Sequence, residues 1–231
     1  MQEIGFDIIS DLNLNPNDSF NWENKATSLY CVIAGNISND IRTIALTLSH
    51  LTKFYQGVFY TPGSLEFEGI EDYDNRIKEI SRVCKKIRNV ALLHHHVVII
   101  DGVAILGCPG WYGGEVESDF EEKHGIGRFE DLIYLKSSID KLQKHLDVKK
   151  ILMLTNGVPN EKMYFGEVPA DATVLPELTM TLLSDLEAKV SHWAYGSYGK
   201  IVDATIDNIN YLCNPYNKKN PYWAKRIDIE V

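Results

Sequence analysis

Five apolar runs in this chain each end in a short polar or glycine-containing cluster, and this repeated arrangement most limits how the chain can fold. The first run spans residues 4–9 (IGFDII) and is followed at once by Ser10 and Asp11. A short apolar run is typical of a buried strand. Open α/β sheets build their sites where such strands end. The sequence therefore predicts an α/β fold with a site at the strand ends and Asp11 at its centre.

The five clusters have a fixed order along the chain. They are Asp11-Leu12-Asn13, Gly35-Asn36-Ile37-Ser38-Asn39, Gly63-Ser64-Leu65-Glu66, Thr155-Asn156 and Gly196-Ser197-Tyr198-Gly199. Each of them follows a segment that we predict to be a strand.

Hydrophobic periodicity predicts the remaining elements. Strands are expected at residues 4–9, 29–34, 58–60, 91–93, 97–100, 103–106, 149–154, 190–195, 200–205, 209–213 and 224–231. Helices are expected at 40–51, 72–88, 132–146 and 178–188, with Ser38 or Asn39 capping the first. Asp101-Gly102 indicates a type I′ hairpin. No internal repeat or clear linker interrupts residues 1–231, which predicts a single domain.

Composition narrows the classes of function. The apolar fraction of 45% is typical of a globular protein. The net charge of −9 argues against sequence-independent nucleic-acid binding, which needs a basic surface. No apolar stretch approaches the ~20 residues that span a bilayer, and no basic leader precedes the first run. The four cysteines form no CxxC pair and are expected to be buried thiols, in a cytoplasmic protein.

In this order the clusters resemble the motifs of the calcineurin-like metallophosphoesterases. Those motifs are D-x-H, G-D-x-x-D/N, G-N-H-E/D, a histidine after a strand, and G-H-x-H. The hairpin at 97–106 and the segment Tyr211-Leu212-Cys213-Asn214-Pro215 are also similar to small members of that family. The resemblance implies a four-layer αββα sandwich. It also implies two divalent ions such as Mn, Fe or Zn at the strand ends, which polarise a phosphate ester and generate the attacking hydroxide.

The chain departs from the family where the metal ligands belong. Asp11 and Glu66 match, and the glycines at 35, 63 and 196 are kept, as is Thr155. The replaced positions are Asn13 for a histidine, Asn36 for the bridging aspartate, Ser64 for an asparagine, Leu65 and Asn156 for histidines, and Ser197 and Gly199 for the last two histidines. Residues that shape the backbone are kept while ligands are lost.

These departures predict that the tight two-metal site is lost. Two dications would face the single core carboxylate of Asp11, and neutral amide oxygens bind such ions weakly without carboxylates. We therefore expect no cofactor and no metal-dependent hydrolysis. The leading hypothesis is a pseudoenzyme that binds a macromolecular partner or a phosphate-containing small molecule. The sequence leaves its oligomeric state open, and neither a membrane nor a nucleic acid is an expected partner.

Other interpretations stay open. A residual phosphoesterase could hold one ion through Asp11 and Glu66, or through the cluster His94-His95-His96. The backbone N–H groups of Gly35 and Gly63 could receive a phosphate. On a purely structural interpretation, Asp11 caps a turn and the asparagines and serine fill a former pocket. The histidine cluster is then structural as well.

Three further features have structural interpretations. The acidic run at 115–122 is expected to be a solvated loop, with a basic partner as the alternative. Trp111-Tyr112, Tyr216 and Tyr222-Trp223 are expected to pack, rather than to stack on bases. His192 is expected to be a packing residue.

Overall fold

The computed structural model describes residues 2–110, 130–159, 189–217 and 224–231. In these ranges the strands are β1 (Glu3–Ile9), β2 (Tyr30–Ala34), β3 (Gly57–Thr61), β4 (Val90–Leu92), β5 (His96–Ile100), β6 (Val103–Gly107), β7 (Lys150–Leu154), β8 (Val190–Tyr195), β9 (Val202–Ile206), β10 (Ile209–Cys213) and β11 (Lys225–Glu230). The helices are α1 (Ile41–Leu51), α2 (Tyr73–Lys86) and α3 (Glu130–Lys144), with a 3₁₀ turn at Ser64–Phe67.

The strands form two sheets. One has the order β11-β1-β2-β3-β4, and the other has the order β5-β6-β7-β8-β10-β9. Strands β1 to β4 are parallel to one another, as are β6, β7, β8 and β10, whereas β5, β9 and β11 pair antiparallel at sheet edges. Parallel strands share the edge at which they end, so each sheet gathers its strand-end clusters on one side.

Three apolar cores separate four layers. Alternate residues of a strand face opposite sides of its sheet, as β2 shows. Cys31 and Ile33 pack toward α1 and α2, whereas Val32 and Ala34 pack between the two sheets. On the second sheet, Met153 and its neighbours pack toward α3. The order helix, sheet, sheet, helix confirms the predicted αββα sandwich.

Element boundaries lie within two residues of the predictions, and those of β8 and β10 coincide with them. The cap of α1 is Asp40 and not Ser38 or Asn39, because Asp40 Oδ2 accepts the Thr43 N–H at 2.7 Å. The Ser38 hydroxyl instead donates to the Leu14 carbonyl at 2.7 Å. Asp72 caps α2 in the same way, by accepting from Asn75. Helix α2 ends at Lys86 because the next residue is extended.

The hairpin and the cysteines agree with the sequence. Asp101 and Gly102 have φ of 46° and 90°, as a type I′ turn requires, and they join the antiparallel strands β5 and β6. All four cysteines are buried thiols that form no disulfide.

Some predicted features lie outside the residues that the structure describes. They are the helix at 178–188, the acidic run at 115–122, Trp111-Tyr112 and Tyr222-Trp223. Across the described ranges, no helix combines the length and apolar character that crossing a membrane requires.

Candidate functional site at the strand ends

Four polar side chains meet where parallel strands of the two sheets end. Asp11 and Asn36 follow β1 and β2 of the first sheet, and Asn156 and Ser197 follow β7 and β8 of the second. Asp11, Asn36 and Asn156 are at least 92% buried, whereas Ser197 is exposed. We call these four residues the strand-end cluster. The structure therefore brings together four of the seven predicted site side chains.

Asp11 is the acceptor at the centre of this cluster. Its Oδ1 accepts the Asn36 amide at 2.8 Å and the Ser197 N–H at 3.0 Å. Its Oδ2 accepts the Ser10 hydroxyl at 2.8 Å and the Ser197 N–H at 3.2 Å. Burial raises the pKa of Asp11, and these donors oppose that effect. Asp11 thus does more than cap a turn, because it joins the two sheets.

The two asparagines act as donor and acceptor at once. The Asn36 amide also donates to the Ser197 hydroxyl at 3.2 Å, while its carbonyl accepts the Leu65 N–H at 3.1 Å. Asn156 donates to the Ala34 carbonyl at 2.9 Å and accepts the Ser197 hydroxyl at 2.8 Å. These bonds satisfy buried groups that would otherwise be costly to desolvate.

Backbone geometry explains why short polar residues suit these positions. Asp11, Asn36 and Ser197 have φ of 50°, 57° and 58°, in the left-handed region that aspartate and asparagine tolerate better than most side chains. A Cβ on Gly63 would lie 2.3 Å from Asn36 Oδ1, and one on Gly196 would lie 2.3 Å from the Ala34 carbonyl. The kept glycines allow this close packing.

Glu66 lies fully buried, and both of its oxygens are occupied. Its Oε1 accepts the Ile37 N–H at 2.6 Å and the Tyr60 hydroxyl at 2.9 Å. Its Oε2 accepts the Gly63 N–H at 2.8 Å and the Asn36 N–H at 3.1 Å. Burial raises the pKa of Glu66 to about 7, although the backbone donors oppose the shift. Glu66 therefore holds the loops after β2 and β3, which speaks against a one-ion site made with Asp11.

Asn13 and Ser64 do not place their side chains in the way the family pattern implies. Both residues are exposed. The Asn13 amide donates to the Asp11 carbonyl at 3.1 Å, so it stabilises its own loop. Ser64 reaches the strand-end cluster through its backbone, whose N–H donates to Asn156 Oδ1 at 3.4 Å. A residue that contributes through its backbone is not detectable from side-chain patterns.

The histidine cluster lies at the start of β5 and not along one strand. His94 and His95 precede β5, so the three histidines do not alternate along one strand. His94 Nε2 lies 3.0 Å from the Tyr73 hydroxyl, and His95 Nε2 lies 2.5 Å from Asp131 Oδ1. Burial lowers the pKa of His94 to about 4. These contacts agree with the structural interpretation of the cluster.

Metal ligands require free lone pairs and, for divalent ions, carboxylates or imidazoles. Each carboxylate oxygen of Asp11 and of Glu66 already accepts two hydrogen bonds. Among the residues that the structure describes, no group of three or more His, Cys, Asp or Glu side chains could hold a metal. The residues present at the strand ends do not fit a pair of divalent ions.

Sequence reasoning missed two residues that support this region. The Tyr60 hydroxyl bonds Glu66, and the buried Arg76 donates through Nε to the Glu66 carbonyl at 2.8 Å. Arg76 also donates to the Asn39 carbonyl. Its position offered a signal, because Arg76 shares the inward face of α2 with Ile80 and Cys84. A charged residue at that helical spacing indicates a buried partner.

No family model matches the chain, and no curated protein matches it either. Solved structures do match. Phosphopantetheinyl hydrolase (PptH) from Mycobacterium tuberculosis is 13% identical with a TM-score of 0.68, over 97% of this chain and 96% of that one. A putative 5′-nucleotidase from Staphylococcus aureus is 11% identical with a TM-score of 0.58, over 99% of this chain and 51% of that one.

A third similar structure is GAP50 of Plasmodium, which is 10% identical with a TM-score of 0.53, over 91% of this chain and 71% of that one. At such identities the likeness concerns the fold alone. It agrees with the sheet order and with the four layers described above. The chain therefore has the four-layer αββα fold of the metallophosphoesterase type.

Proposed function

We propose that this chain is a binding protein built on a metallophosphoesterase-type scaffold, and that it does not hydrolyse phosphate esters. The observation that carries the proposal is the bonding of Asp11, whose two oxygens accept four hydrogen bonds from Ser10, Asn36 and Ser197. A metal ion at this place would have to displace those donors. The same side chains stabilise the fold without any ion.

The replacements have a consistent electrostatic logic. Several carboxylates buried together without a cation repel one another, and at least one of them must take up a proton. Asparagine at position 36 keeps the shape of aspartate and supplies the donor that Asp11 needs, at 2.8 Å. The strand-end cluster thereby links the sheets by hydrogen bonds in place of bridging ions.

A macromolecular partner suits this site better than a phosphate compound does. The N–H groups of Gly63, Ser64, Leu65 and Ser197 all donate within the site, so they are not available to an anion. An ionised Asp11 would also repel one. Among the similar structures, GAP50 is described as the anchor in the inner membrane complex of Plasmodium, and this anchoring role on a similar fold supports a binding role for this chain by analogy.

The test is a panel of phosphomonoesters and phosphodiesters assayed with manganese, zinc and iron. We expect the wild type, Asp11→Ala and the control Asp140→Ala, which removes an exposed acid on α3, to show the same background. Metal-dependent turnover that Asp11→Ala abolishes and Asp140→Ala spares would contradict the proposal. It would favour the alternative, a residual metal-dependent phosphoesterase, in line with the names of the two similar hydrolases.

A further inference from the structure

We propose that strand β5 pairs with β5 of a second copy of this chain, so that the two six-stranded sheets continue into one across a two-fold axis. The sheet order places β5 at an edge. Within the described residues, its ladder partner is β6 on one side alone. This surface lies outside the strand-end cluster, so the inference does not depend on the proposed function.

The edge lacks the devices that usually prevent such pairing. Natural edge strands carry lysines, prolines, bulges or inward charges. Strand β5 reads HVVII, its ladder with β6 runs from His96 to Ile100 in unbroken register, and Ile99 is 44% exposed. An apolar strand of regular geometry therefore has no second ladder partner among the described residues.

The hairpin fixes which backbone groups point outward. In a two-residue hairpin, the pair that flanks the turn exchanges hydrogen bonds, and bonded pairs alternate with non-bonded pairs along the ladder. Here the flanking pair is Ile100 and Val103. The groups of Ile100 and Val98 thus face β6, and the N–H and C=O groups of Val97 and Ile99 face the free edge.

These outward groups are self-complementary. In an antiparallel pair centred on Val98, Val97 lies opposite the partner's Ile99, and both residues present outward groups, so two bonded pairs form by symmetry. The chain carries a net charge of −9, and this register opposes no two acidic residues.

The small size of the contact sets its expected strength. The area that one five-residue strand buries against its copy is much smaller than the about 1,600 Å² of a standard interface. We therefore expect a dimer that forms as the protein concentration rises, and we expect it to be sensitive to single substitutions in β5.

Sedimentation equilibrium of the full chain over rising concentration tests the inference, with two variants. Ile99→Pro removes an outward N–H and leaves the bonds to β6 intact, which is where an edge strand tolerates proline. Ile99→Lys places two like charges diagonally across the axis, about 7–8 Å apart. The matched control is Ile133→Lys, which changes an apolar residue of α3 that is 64% exposed.

We expect the wild type and the Ile133→Lys variant each to dimerise, with the same dissociation constant. In the Ile99 variants that dissociation constant should rise at least about tenfold. Circular dichroism establishes which variants are folded. If Ile99→Pro is unfolded, the dissociation constant of Ile99→Lys alone tests the inference. A wild type that stays monomeric up to about 1 mM, where even a millimolar affinity is visible, would overturn the inference. A dimer that both folded Ile99 variants leave unchanged would overturn it as well.

Discussion

Asn36→Asp is the substitution that most sharply separates a hydrogen-bonded site from a metal site. The Asn36 amide nitrogen donates to Asp11 Oδ1 at 2.8 Å, and the variant puts a carboxylate oxygen in its place. Two unit charges about 4 Å apart repel by about 4 kcal/mol at an effective dielectric constant of 20. The variant also loses the donor bond, so at pH 8 we expect it to be less stable than wild type by about 4 kcal/mol or more.

The pH dependence of this loss identifies its cause. A repulsion of this size raises the pKa of the carboxyl pair in the folded variant well above that of an aspartate in the unfolded chain. Above the pKa of the unfolded chain the folded variant therefore binds more protons than the unfolded one, so its stability falls as the pH rises. The deficit relative to wild type is therefore smallest near pH 4 and largest at pH 8.

Urea unfolding of the wild type, Asn36→Asp and Asn36→Ala at several pH values measures this. The alanine variant removes the same amide without adding a charge, so its deficit should be about 1–3 kcal/mol and should grow with pH less than that of the aspartate variant. The reasoning is refuted if the aspartate variant is no less stable than the alanine variant at pH 8, or if their difference does not change with pH.

Three further substitutions test the neighbouring contacts. Burial raises the pKa of Glu66 from 4.5 to about 7. The stability advantage of wild type over Glu66→Gln, measured by denaturant titration, should therefore fall by about 3 kcal/mol as the pH rises from 4.5 through 7. A difference that does not change with pH would contradict the assigned cause. Gly63→Ala places a Cβ 2.3 Å from Asn36 Oδ1 and should cost about 1–3 kcal/mol more than Gly5→Ala, whose Cβ would meet no atom closer than 3.0 Å. Equal losses of unfolding free energy would refute the steric account. The Tyr55 hydroxyl donates to Asp7 at 2.8 Å and accepts from Trp22 at 2.7 Å. Tyr55→Phe should therefore lower the free energy of unfolding by about 1–3 kcal/mol. An unchanged free energy of unfolding would mean that Asp7 and Trp22 find other partners.

The fold could be predicted because its signals are local. The apolar runs that end in polar clusters mark the parallel strands, and Asp101-Gly102 marks the hairpin. The order of the clusters supplied the layer arrangement through the family resemblance. Helix starts were less certain, since several polar residues compete to cap α1, and Asp40 was the one whose carboxylate reached the Thr43 N–H.

The site was harder to predict because its bonds join distant parts of the chain. The contact of Asp11 with Ser197 spans 186 residues, and nothing local to either residue indicates it. Glu66 looked like a possible ligand because its residue type matched the family, whereas its four donors come from three separate segments. Backbone donors such as the Ser64 N–H leave no trace in the sequence, because every residue except proline has one.

Isothermal titration of the wild-type protein with manganese tests the central claim most directly. If hydrogen bonds have replaced the metal ions at the strand ends, the titration should show no stoichiometric site of micromolar or tighter affinity. Two such sites, with two strong anomalous peaks beside Asp11 in manganese-soaked crystals, would contradict the account.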